Sequence, residues 1–347
     1  MIRVAHTRPR LVATLAAALA LAAAACGGGD ERVAGGLSDP GDLRGKTIGV
    51  GSLGDMSTLE TRYLLQQGYG LDVSLGGGDV TISESPAESL PTLLEDGDID
   101  AAVLGSLGAF RLLEDERFRV LSQVTAEVQE LTGAPVMSSI LVTYPEVAEQ
   151  KGDALGELNR MLAESVTYFK ANQDQVIEAV AAEQQADPEF LRWWWDRQGL
   201  ALGDSSQEMQ EQLLKVWETA KAVGDIEDYP ELADVLFSGD EGAPSMAMKA
   251  DRTTVSLALL DDPSRRAALY AVQQGIVTSD SVDVDLTYLP FSTLIEVAAA
   301  RQYDVIEALP LVVPLGAARD LDFVVLSGAL QDLSGTLLFV RAEAASD

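Results

Sequence analysis

Two separated stretches of this 347-residue chain repeat one another, and that repeat limits its possible folds more than any other feature. Leu65-Gln66-Gln67-Gly68 returns as Val272-Gln273-Gln274-Gly275. Ser83 to Ala102, with Pro86, Ala87 and the turn Asp98–Asp100, returns as Tyr288 to Glu307, with Pro290 and Asp304. Arg119-Val120-Leu121-Ser122 returns as Val324-Val325-Leu326-Ser327. One such match could arise by chance; several in the same order mark a duplicated unit.

Each unit alternates strands with helices. The first opens with a charged turn and a short apolar strand, Asp42-Leu43-Arg44-Gly45-Lys46-Thr47-Ile48-Gly49-Val50. Met56 to Gln67 then has helical spacing at Leu59, Tyr63 and Leu64 and stops at Gly68. Strands are expected at Val80–Ser83, Ala101–Leu104, Arg119–Val124 and Val136–Thr143, with helices at Pro86–Glu95 and Ser106–Glu114. The second unit opens at Asp251, with strands at Thr254–Leu259, Val282–Tyr288, Val305–Ala308, Phe323–Leu326 and Leu337–Val340. Its helices are expected at Pro263–Gln274, Pro290–Arg301 and Leu311–Ala318. Such alternation implies a parallel sheet covered by helices on both faces. The expected class is therefore α/β: two similar lobes with mixed, mostly parallel sheets, at residues 41–144 and 253–347. Between them, 145–237 reads as a helical segment, in which Asp187 caps a helix carrying Pro188 at its first position. Residues 238–252 are polar and punctuated by Gly and Pro, as in a linker.

The first 25 residues read as an export signal. Arg3, Arg8 and Arg10 precede a nearly all-apolar run from Leu11 to Ala25, too short to span a bilayer comfortably. The run ends Ala23-Ala24-Ala25-Cys26, and Cys26 is the chain's single cysteine. This resembles a bacterial lipobox, in which the cysteine is lipidated after cleavage, although leucine is usual where Ala23 stands. Plain cleavage after a small residue is the alternative. Residues 26–40 then form a Gly-rich tether. The expected location is the extracytoplasmic face of a cell membrane, held by a lipid.

Composition removes several functions. The formal charge of −31 argues against a nucleic-acid partner, which demands a basic surface. The only histidine, His6, leaves with the signal, so the mature chain has no Ser/His or Cys/His nucleophile pair. No enzyme activity, metal or cofactor is expected. Gly45-Lys46-Thr47 resembles the end of a phosphate-binding loop, but Pro40 stands where its first glycine belongs, and the segment precedes a strand instead of following one. Asp96-Gly97-Asp98-Ile99-Asp100 resembles the start of a calcium loop, but Ala101 and Leu107 occupy the positions needing Gly and Glu. Trp193, Trp194 and Trp195 are consecutive, so on a helix they point about 100° apart and cannot form one cage; one or two belong in the core, and one could reach a ligand.

What remains is geometry. In parallel α/β lobes, ligands sit beyond the carboxyl ends of the strands, against helix N-termini. In the first lobe those loops carry Ser52, Asp55, Ser57, Ser85 and Ser106; in the second they carry Asp261, Asp262, Ser264, Arg265, Phe291, Ser292 and Glu307. These are the candidate ligand-binding residues. Arg265 and Arg266 would suit an anion, whereas Asp261, Asp262 and Glu307 would suit an amine or a pyrimidine.

An exported, tethered chain of two similar α/β lobes resembles the solute-binding proteins of ABC importers. Within them it resembles the nitrate/sulfonate/taurine/thiamine-precursor binding family. Ala267 to Ile276 resembles the family's first helix, and Thr293 to Ala308 its next helix and strand. Asp42–Val50 resembles the opening of the family's second lobe, and Leu93–Val103 a later part of that lobe. The resemblance is diffuse, but it covers most of residues 41–345. It implies a periplasmic-binding-protein type II fold, a small-molecule ligand in the inter-lobe cleft, permease subunits as partners, and a monomer. The lobe order departs from the family's: its second lobe and helices come first here, and its first lobe comes last. That order implies a circular permutation, with a domain-swapped dimer as its structural rival. A sensory or adaptor lipoprotein is the functional alternative, and a pyrimidine-synthase-like enzyme is disfavoured by the missing histidine.

Overall fold

The computed structural model describes residues 36–239 and 252–342. The expected signal, Cys26, and most of the expected tether and linker lie outside the described residues. The first part of the chain runs through Thr47–Val50 (β1), Met56–Tyr69 (α1), Thr81–Glu84 (β2), Leu90–Asp96 (α2), Ala101–Leu104 (β3), Ser106–Leu113 (α3), Phe118–Ser122 (β4), Val124–Thr132 (α4) and Val136–Thr143 (β5). The helical segment follows as Pro145–Ala171 (α5), Gln173–Gln184 (α6), Pro188–Trp195 (α7), the short strand Gln198–Leu200 (β6), Gln207–Ala222 (α8) and Leu232–Val235 (α9). The last part comprises Thr253–Leu260 (β7), Pro263–Ala268 (α10), Tyr270–Gln273 (α11), Val282–Leu289 (β8), Phe291–Ala300 (α12), Val305–Ala308 (β9), Val312–Ala317 (α13), Val324–Asp332 (β10) and Leu337–Arg341 (β11).

The fold is α/β, with two lobes each built on its own sheet. The first sheet has five strands in the order β2-β1-β3-β11-β4, and the second has six, β8-β7-β9-β5-β10-β6. In each, the first unit strand pairs in parallel with the second and third. In each, the next strand is antiparallel and comes from the other part of the chain: β11 between β3 and β4, and β5 between β9 and β10. This corrects the expected strand assignment, which left Val136–Thr143 in the first lobe and Leu337–Val340 in the second. An apolar run says that a strand is buried; it does not say against which neighbours.

The sequence repeat has a physical counterpart. Asp100, just before β3, accepts a hydrogen bond from Thr47 N at 2.9 Å, and Asp304, just before β9, accepts one from Ser256 N at 2.8 Å. Each aspartate thus ties the entry of its third strand to its first. The helix before each turn ends in a left-handed residue, Gly97 (φ 81°) in one lobe and Arg301 (φ 53°) in the other. Asp96–Asp100 is therefore a turn into a buried strand.

The crossings between lobes lie side by side, because Val136 at the start of β5 pairs with Asp332 at the end of β10. β10 runs parallel to β7 and β9, so it leaves the second sheet at that sheet's carboxyl edge. After four intervening residues β11 enters the first sheet beside the end of β3, with Leu337 opposite Leu104. The carboxyl edges of the two sheets therefore face each other across this hinge.

One core runs from Ile48, Leu59 and Leu64 in the first lobe, past Trp217 of α8, to Ile140, Ile306 and Val325 in the second. A second core packs α5, α6 and α10 on the other face of the second sheet, and a third packs α2 and α3 on the first. The helical segment also touches the first lobe on the α3 side, where Trp193 of α7 lies 5.5 Å from the Phe110 ring. As their spacing predicts, the three tryptophans part company: Trp195 packs on Phe169, Trp194 is buried, and Trp193 sits half-buried between Phe110 and Arg197. No helix among the described residues is long and apolar enough to cross a membrane.

Candidate functional site

The first lobe's rim is built on the loop after β1. Ser52 accepts the Thr58 hydroxyl at its carbonyl (2.7 Å), and its own hydroxyl accepts Gly54 N (3.2 Å). These bonds fold the loop into the start of α1. Asp55 holds the N-cap position of α1 without bonding the helix through its side chain. Its carboxylate instead lies over the end of β1, close to Gly51. Partial burial, and then the charge of Glu84, raises the Asp55 carboxyl above its ordinary value. Glu84 ends β2, and its carboxylate accepts Leu53 N at 3.3 Å. Ser57, in the first turn of α1, and Ser85, whose N–H donates to Val50 O at 3.0 Å, are both partly exposed at this edge. Ser106 is the first residue of α3.

The second rim divides the candidates into two groups. Asp262 is the N-cap of α10 and accepts Ser264 N at 2.7 Å. Asp261 is exposed and pairs with Arg266 at 2.8 Å. Phe291, the first residue of α12, is 39% exposed, and Ser292 follows it. Ser264, Arg265 and Glu307, in contrast, lie beneath the rim. Arg265 is 6% exposed and Glu307 3%. The Glu307 carboxylate accepts Arg265 Nε at 3.0 Å, Ser139 Oγ at 2.6 Å and Leu260 N at 3.0 Å, and it also meets Arg265 Nη2. Burial works against this charge, but the guanidinium and the hydrogen bonds outweigh it and hold the Glu307 carboxyl below its ordinary value. Arg265 and Glu307, expected as ligand contacts, consume each other and tie β9, α10 and β5 together. A buried ion pair needs such full hydrogen bonding to persist.

Sequence reading missed three rim residues. Glu84 sits one position before Ser85, just past the expected strand Val80–Ser83, and an acid beside a loop serine carries no signal of its own. Leu53 and Leu107 are 37% and 39% exposed on the first rim, yet an isolated leucine in a loop or first helical turn carries no signal by itself. Among the described residues, no group of three or more His, Cys, Asp or Glu side chains is placed to hold a metal.

No family model matches this chain, and no curated protein matches it. Among solved structures it is similar to the periplasmic aliphatic sulphonate binding protein SsuA from Escherichia coli, at 10% identity and a TM-score of 0.31, over 85% of this chain and 64% of that one. It is similar to a phosphate-binding protein of a phosphate ABC transporter from Streptococcus pneumoniae, at 11% identity and a TM-score of 0.28, over 87% and 90% of the two chains. A periplasmic substrate-binding protein of an ABC transporter from Coxiella burnetii aligns at 11% identity and a TM-score of 0.30, over 86% and 85%. Likenesses this distant decide nothing about the site; the two-lobed architecture rests on the sheets themselves.

Proposed function

We propose that this chain is an extracytoplasmic, lipid-anchored solute-binding protein of an ABC importer, which takes a small solute between its lobes and presents it to permease subunits. The observation that carries the reading is the hinge: two sheets of one strand order, each completed by a strand from the other, meeting carboxyl edge to carboxyl edge. That is where α/β lobes bind ligands, and a pair of adjacent crossings lets them close on one. The reading is of a binding protein, not an enzyme.

The permuted order belongs to the same proposal. Val340 of β11 and Ile48 of β1 both pair with Ala101, on opposite sides of β3. The end of the last strand and the start of the first are therefore two strand spacings apart, about 10 Å. An ancestral chain passing directly from one to the other fits that separation.

The rim favours a ligand with a cationic or hydrogen-bond-donating head and an apolar body over a sulfonate or nitrate. The Asp55 carboxyl has Glu84, not a cation, as its charged neighbour. Arg265 is spent on Glu307, and Arg266 is held by Asp261 and Glu183 and lies over the Tyr288 ring. Leu53, Leu107 and Phe291 supply exposed apolar surface. Native mass spectrometry of the gently purified protein tests the proposal, followed by small-angle scattering with whatever co-purifies. The expected result is a bound amine-bearing solute that compacts the protein. A ligand that binds without compaction, or an anion bound in the cleft, overturns the corresponding part.

A further inference from the structure

A third connection joins the lobes beside the two crossings, and one arginine fastens it. α8 starts on the second lobe, where Gly328 N of β10 donates to Asp204 O at 2.8 Å and Gln331 Nε2 donates to Gln212 Oε1 at 2.6 Å. Further along α8, Trp217 donates Nε1 to Pro310 O at 2.9 Å, in the loop after β9 and so at the second sheet's carboxyl edge. Beyond that edge the helix lies against the first lobe. Val216 and Thr219 share a small cavity with Met56 and Leu59 of α1, and α8 ends at Ala222 beside Arg62 of the same helix. The chain then returns. The Tyr229 ring packs on Trp217 at 5.8 Å, Leu236 bridges to Val325 of β10, and Phe237 N donates to Val325 O at 2.9 Å. Residues 207–237 therefore leave the second lobe, reach the first and come back.

Arg62 is the fastening, and it is 3% exposed. Its Nε donates to Val73 O at 3.3 Å, which orients the guanidinium from within its own lobe. Its Nη2 donates to Val223 O at 2.9 Å, and its Nη1 pairs with the Asp225 carboxylate. Those two bonds seize the C-terminal end of α8, where carbonyls lack intrahelical partners and a cation is favoured. The apolar seam beside it, Leu59 against Val216, is held by non-directional burial and can slide with little loss. A guanidinium fork is directional. Rotation of the first lobe about the crossings must carry Arg62 away from Asp225, which strands a buried charge, or drag the end of α8 with it.

We propose that Arg62 is an inter-lobe latch: it holds the lobes at the angle seen here until contacts with a solute offset its release. The latch rests on the two-lobed hinge but on no ligand, so it can fail while the solute reading stands.

Pulsed dipolar spectroscopy of the full chain without solute tests it. Nitroxides go on two exposed positions, Glu88→Cys after β2 and Glu296→Cys on α12, with Cys26→Ser to leave no other thiol. The expected result is one narrow distance distribution in this background, and a broader one when Arg62→Met or Asp225→Asn is added. Asp225→Asn keeps the acceptor and removes only the charge, so it serves if Arg62→Met does not fold. A merely structural pair would lower the urea midpoint and leave the distribution alone; that result, in either folded variant, overturns the latch.

Discussion

The Arg265–Glu307 pair allows a quantitative test of whether these residues hold the fold or serve the ligand. In Glu307→Gln the shape is kept, and the single amide oxygen still accepts from Leu260 N, while the new amide N–H can donate to Ser139 Oγ. The guanidinium, however, is left 6% exposed, with only Asp262, 3.5 Å away, to balance it. Breaking a buried pair on one side costs about 3–5 kcal/mol. The residual Asp262 contact and the retained hydrogen bonds place this variant at the low end, about 3 kcal/mol. Adding Arg265→Met removes the stranded charge and should return the protein to within about 1 kcal/mol of wild type. Urea unfolding at pH 7 measures all three proteins. The depressed Glu307 carboxyl also sets a pH window: its contribution is complete above the ordinary glutamate value of 4.5 and is lost as pH falls through the lower folded value. A loss below about 1 kcal/mol in Glu307→Gln, or a double variant no better than the single one, would refute the reasoning. Unchanged stability with lost solute binding would return the pair to the ligand site.

Two further substitutions probe the β10–β11 crossing and the core beside α8. A Cβ at Gly335 would stand 2.8 Å from Gln198 Nε2 and 2.9 Å from Asp332 Oδ1, so Gly335→Ala should cost about 1–3 kcal/mol in urea unfolding by forcing the crossing apart. Trp217 is fully buried and donates Nε1 to Pro310 O at 2.9 Å, so Trp217→Phe should cost about 1–3 kcal/mol by stranding that carbonyl, and an unchanged midpoint would show that the contact is not made.

Local pattern made much of this molecule legible. The apolar runs at Thr47–Val50, Ala101–Leu104 and Val305–Ala308 are strands, and the Asp187-Pro188 and Ser206 caps start helices as their chemistry requires. Some local features were less legible. α1 passes through Gly68 to end at Tyr69, because packing against α4 and α8 outweighs one glycine's propensity. The buried acid Glu60 looks like a surface residue of a helix. Its position was nevertheless marked, since it lies four residues from both Met56 and Leu64, on the stripe that faces the core.

The sequence by itself determined the number of lobes, their strand–helix alternation and their order, because each depends on periodicity and turn chemistry within a few residues. It also named the loops that form the rims, since those follow from where strands end. Only the tertiary structure decided which strands complete which sheet. Backbone hydrogen bonding is identical for every strand, so β5 and β11 change lobes without leaving a mark in their composition. Nor could the sequence settle the fate of its charges. Arg265 and Glu307 are 42 residues apart and become one buried pair. A charge's role depends on its solvent exposure and its partners, and both are properties of the assembled fold.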